Sequence, residues 1–208
     1  MTRNDTQSVQ DDIAYMRALA HEGRHTPQLG GAVLITAGLV FGTAAVGHFL
    51  IDYGVIDLPP VSYSVLWGAA MLAFFVALFA KMRGGRFKPG ALSPVNRATS
   101  TAWMGVGLCC FVLSVSMGII AWKTQSPVVA YLFPSLIFAL YGAAWAVSAE
   151  MSGLRWQWKL AMAAWVAAPA IALLIDTPFI WLGYAAGIFL LALVPGVILR
   201  RQEPAEVI

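Results

Sequence analysis

Charge is scarce in this chain. Asp, Glu, Lys and Arg make up 11% of its 208 residues, and none stands near the middle of a long apolar run. Soluble domains are about a quarter charged, so a soluble globular fold is excluded. Proton-coupled carriers, ion pumps and membrane-embedded hydrolases place ionisable side chains at mid-membrane and tolerate the desolvation cost. That signature is missing too. Cysteine is limited to the adjacent pair Cys109 and Cys110, which cannot staple a loop. No CxxC or Cys/His spacing suggests zinc, and the two thiols read as small packing residues.

Histidine is equally sparse. His21 and His25 precede the first apolar run and only His48 lies within one. A bis-histidine haem needs two axial ligands on facing helices, and a retinal Schiff base needs a lysine deep in a span. The chain offers neither. GxGxxG, Walker A, HExxH and GxSxG patterns are also lacking. No cofactor is expected, and an enzyme ranks last among the functional readings.

What is present is apolar sequence. Hydrophobic residues reach 60% and mean hydropathy is +0.75. They fall into six runs, Ala32–Ile51, Ser64–Ala80, Thr101–Trp122, Val128–Ala149, Trp156–Ile175 and Phe179–Leu199, each 17 to 22 residues long. Twenty residues of helix span roughly 30 Å, the thickness of a bilayer hydrocarbon core. Stretches such as MLAFFVALFA do not alternate, so barrel strands are excluded. The expected fold is all-α: a polytopic integral membrane protein with six transmembrane helices. Short connections make consecutive spans antiparallel, giving three helical hairpins.

Basic residues set the expected orientation. Twelve of the thirteen Lys and Arg residues flank one side of this map, and Lys123 alone flanks the other. Positive charge is retained in the cytoplasm, so both termini are expected there, with the chain in a bacterial inner (plasma) membrane. Residues 1–29 lack an early apolar stretch, so no cleavable signal is expected and the first span directs insertion. Three regions follow: a cytoplasmic tail at 1–31, the transmembrane domain at 32–199, and a short cytoplasmic end at 200–208. In the tail, Val9, Ile13, Met16 and Ala20 share one face of a short amphipathic helix beginning near Asp11 and Asp12. Net charge of +3 does not imply nucleic acid, because the cations punctuate membrane segments.

Candidate sites are few. His48 and Asp52 are one helical turn apart, which suits a proton-responsive pair or two ligands of a metal site completed by Asp57 or Asp176. A histidine hydrogen-bonded to a neighbour at the interface is the commoner outcome of such spacing. Pro134 and Pro169 interrupt two antiparallel spans at similar depth, and Pro195 interrupts the last. Two kinks side by side would open an outer-half cavity lined by Tyr131, Pro134, Ser135, Pro169 and Asp176. Gly38-x-x-x-Gly42 and Gly183-x-x-x-Gly187 permit close helix contact, more often within a chain than between chains.

Outer loops total twenty residues, too few for an outer domain. The tail, a basic loop at 81–100 and the polar end all lie on the cytoplasmic side. The expected function is therefore a small regulatory, sensory or accessory membrane protein acting through its cytoplasmic face on a protein partner. The alternative is an oligomeric carrier or channel for a small, weakly charged solute. The lipid bilayer, a cytoplasmic protein and further copies of the chain are the expected partners.

Overall fold

The structure is a computed structural model that describes residues 13, 27–83, 90–126 and 128–203. No strand occurs among these residues. Six long helices do: α1 (Gly31–Asp52), α2 (Val61–Arg83), α3 (Pro94–Thr124), α4 (Val128–Ser152), α5 (Arg155–Ala172) and α6 (Phe179–Gln202). All but α5 are long and apolar enough to cross a membrane. Helix α5, at 18 residues, carries Arg155, Gln157 and Lys159 in its first two turns, which lowers its hydropathy. The expected tail helix lies outside the described residues except for Ile13, which is helical and exposed.

Helix ends depart from the apolar runs where caps override hydropathy. Helix α3 begins at Pro94 rather than near Thr101 because Ser93 accepts the Asn96 N–H at 3.2 Å and Pro94 opens the first turn. Helix α5 stops at Ala172, three residues early, as the chain turns toward Asp176 with its φ of 66°.

Each pairing has a definite register. Helix α1 runs antiparallel to α6 along its whole length, through three glycines. A Cβ on Gly38 would lie 2.8 Å from the Leu193 nitrogen, one on Gly31 would lie 2.5 Å from the Arg200 nitrogen, and one on Gly42 would strike the Phe189 ring. The Gly38-x-x-x-Gly42 pattern is therefore an internal seam in which backbones approach closely. Gly187 similarly admits the Phe138 ring of α4, and Gly142 admits Trp165 of α5.

Helix α4 lies antiparallel to α5, where Ser135 Oγ donates to the Ala168 carbonyl at 2.6 Å and Trp165 Nε1 donates to that of Ala139 at 3.2 Å. Phe138, Trp145, Ile180 and Ile188 are essentially fully buried and fill the space where α4 meets α6. Pro195 supplies no N–H to the Leu191 carbonyl four residues earlier, and the helix widens into a π turn over Phe189–Leu193. Trp145 Nε1 donates to that carbonyl at 2.9 Å from the neighbouring helix. The kink is thus satisfied by a partner helix, as a buried carbonyl requires.

Helices α2 and α3 are the outliers. Helix α2 packs mainly on α1 and α3 on α4, and each leaves most of its apolar surface exposed, including Leu72, Val76, Leu108 and Ile119. Phe75 and Phe111 meet edge to face, 6.3 Å between centroids. Cys109 is exposed on this surface, whereas Cys110 packs against the core.

Candidate functional site

The bundle has two distinct ends. The proximal end holds residues 27–31, the start of α3 and the end of α6; the distal end holds the α1–α2, α3–α4 and α5–α6 connections. Of the six buried polar side chains among the described residues, Gln28, Asn96, Thr99, Ser148 and Gln157 lie toward the proximal end, and only His48 lies distally.

The proximal residues form a strap. Asn96 of α3 accepts the Leu29 N–H at 2.8 Å, and its amide donates to the carbonyls of Pro27 and Gly90, both at 3.0 Å. Gln157 of α5 is fully buried; its amide donates to Gln28 Oε1 while Ser152 Oγ faces its own oxygen at 3.0 Å. Glu203 Oε1 then accepts the N–H groups of Gly30 (3.2 Å) and Gly31 (2.9 Å), while its other oxygen accepts from Arg200 at 2.7 Å. A carboxylate at a helix N-terminus meets the positive end of the macrodipole and two orphan donors. Helices α1, α3, α5 and α6 are thus joined through five consecutive residues, 27–31.

Such a network holds only while every member is satisfied. Asn96→Ala removes three side-chain hydrogen bonds and orphans the Leu29 N–H. The expected cost is about 1–3 kcal/mol, together with faster hydrogen exchange at Leu29 than in the parent protein. Unchanged exchange at that amide would show that the strap is held elsewhere.

The distal end is aromatic. His48 Nδ1 accepts from Trp67 Nε1 at 2.9 Å, which fixes a neutral imidazole with its proton on Nε2. The ring stacks on Trp181 at 3.7 Å and 16°, with Tyr63 at 4.5 Å on a tilt. Asp52 instead accepts the Tyr63 hydroxyl at 2.9 Å. The two residues expected as a pair therefore have separate partners, and no hydrogen bond joins them. No cluster of three or more His, Cys, Asp or Glu side chains suited to a metal occurs among the described residues. Trp181 is buried, and its Nε1 and Ser62 Oγ find no hydrogen-bond partner there.

The proline level is directly bridged. Pro134 is buried, Pro169 is exposed, and the Ser135–Ala168 hydrogen bond joins their helices between them. Tyr131 is half-buried and lies 6.3 Å from Trp181, while Asp176 is exposed in the turn before α6. Sequence reasoning named these distal residues but missed the strap. Its only local signal was the Ser93-Pro94 cap that starts α3.

The fold defines an all-helical chain with several helices suited to a membrane interior. No protein-family model matches it, and neither a characterised protein nor a solved structure gives a significant match.

Proposed function

We propose that this is a small inner-membrane protein with a regulatory, sensory or accessory role exerted through its cytoplasmic face. In this reading six spans form three antiparallel hairpins and both termini are cytoplasmic. The observation that carries it is the concentration of buried polar side chains at the proximal end, directly where the N-terminal tail enters. A partner pulling on the tail would act on residues 27–31 and through them on α1, α3, α5 and α6. Seven of the eight described Lys and Arg residues also lie at that end, and only Lys123 lies at the other, which favours a cytoplasmic placement. The filled core around Trp145 and Phe138 argues against a route for solute through one chain.

The second reading is a carrier or channel for a small, weakly charged solute, formed by several copies. The unpartnered Trp181 Nε1 beside His48 favours it, because a buried donor of this kind could meet a solute acceptor. Deleting residues 1–23, with Arg24 and the basic loop retained, separates the two. The regulatory reading expects normal membrane abundance and loss of the protein recovered by crosslinking. Solute uptake into vesicles that persists after deletion, with no protein recovered from either form, would make the carrier the better account.

A further inference from the structure

Between the proximal halves of α1 and α2 runs a shallow surface groove lined by Val33, Thr36, Phe74, Leu78 and Lys81, which encloses no water-sized void. Its walls are mostly apolar. Phe74, Leu78 and Lys81 are spaced at i, i+4 and i+7, which puts them on one face of α2. At its proximal mouth the Lys81 ammonium turns inward, donating to the Ala32 carbonyl at 2.6 Å and to Thr36 Oγ1 at 2.9 Å. Those two bonds leave one of its three hydrogens for another acceptor. Arg83, two residues on and so on another face of the helix, lies over the Phe79 ring at 4.6 Å, which leaves Lys81 as the α2 cation at the groove.

A second cation stands close by. The Arg200 backbone abuts Gly31, next to the Ala32 carbonyl that holds Lys81. The Arg200 side chain is 46% exposed and engages Glu203 through Nη1, one of the nitrogens that carry its five N–H donors. Arg201 adds a further exposed positive charge. The neighbouring Glu203 carboxylate is committed to the Gly30 and Gly31 N–H groups and to Arg200. The mouth is therefore net positive above an apolar trough that opens sideways from the bundle.

We propose that this groove is a binding site for an anionic phospholipid, with an acyl chain against Val33, Phe74 and Leu78 and the headgroup phosphate between Lys81 and Arg200. The charge at the mouth selects an anion and the trough below it selects one with a hydrocarbon tail. Basic pockets between transmembrane helices hold lipid headgroups by this combination. The site extends the account beyond the regulatory reading and holds whichever leaflet meets the proximal end. A bound lipid would clamp α2, the loosely packed helix, onto α1.

The test uses the full chain in mixed micelles and counts retained lipids by native mass spectrometry, with phosphatidylglycerol and phosphatidylcholine as competing probes. One phosphatidylglycerol per chain is expected, retained in clear preference to phosphatidylcholine. Each Lys81→Gln or Arg200→Gln change should lower that preference roughly fivefold, from about 1 kcal/mol per basic residue. Lys81→Arg should keep it, and Leu78→Trp, which fills the trough without changing charge, should lower it. Equal retention of the two lipids would overturn the proposal. So would an equal loss on Arg155→Gln at the start of α5, which would mean diffuse surface charge. Competition by glycerol phosphate as effective as that by intact lipid would remove the trough from the site and overturn it as well.

Discussion

Replacing Trp145 with alanine is expected to cost more than any other single truncation in the bundle. The indole is fully buried between α3, α4, α5 and α6, packing edge to face on Trp103 at 5.0 Å and against Trp156 at 6.0 Å. Removing a core indole of this kind costs about 3–5 kcal/mol. Its Nε1 is also the donor to the Leu191 carbonyl at the Pro195 kink. Trp145→Phe removes the donor together with part of the buried ring, so its cost has a polar part and a packing part. An orphaned buried carbonyl costs about 1–3 kcal/mol. Restoring a backbone donor with Pro195→Ala should then remove the polar part and leave only the packing part of the Trp145→Phe cost, read as unfolding midpoints in detergent for the double-mutant cycle. A cost that is the same in both backgrounds would show that the indole does not serve the kink.

Gly38→Ala is expected to separate the two helices that organise the rest. A methyl group there would lie 2.7 to 2.9 Å from Leu193 Cβ, nitrogen and Cα, and the last two are backbone atoms that cannot rotate away. Overpacking of this kind costs about 1–3 kcal/mol. Gly105 and Gly107 on α3 provide the contrast, since a Cβ on either meets nothing within 4 Å. Alanine at those positions should change the unfolding midpoint little, because such surface substitutions stay within about 0.5 kcal/mol. Equal destabilisation at Gly38 and Gly105 would contradict the seam, and would point to a contact made by α3 with another molecule.

The helices themselves were legible because hydropathy acts along the chain. Each of the six apolar runs became a helix, and the errors lie where a polar turn extends or a turn cuts short the apolar stretch. Asn96 and Arg97 carry no hydropathic signal, yet Ser93 and Pro94 start α3 ahead of them. The GxxxG pattern at Gly38 was legible as close packing, though nothing local names α6 as its partner.

The site was legible only in part, for the same reason. His48 stood out as the one histidine within a span, but spacing could offer it only Asp52, one turn away. Its actual partners, Trp67 and Trp181, arrive from the second and sixth helices. Gln28, Asn96 and Gln157 each look like ordinary polar residues at a helix end. Only the closing of α1 on α6, and of α4 on α5, brings their surroundings together. Long-range polar networks leave no periodic trace, so residues separated by 129 positions, as Gln28 and Gln157 are, escape any local rule.

The proposed role depends above all on which side of the membrane carries the strap, and topology reporters test that directly. Fusions or labelled cysteines at Gly90, Gly153 and Ala205 should report the cytoplasm, and those at Asp57, Gln125 and Thr177 the opposite side, as the distribution of basic residues requires. An external signal at Gly90, Gly153 and Ala205 would put the strap and the tail outside the cell and contradict a cytoplasmic working face.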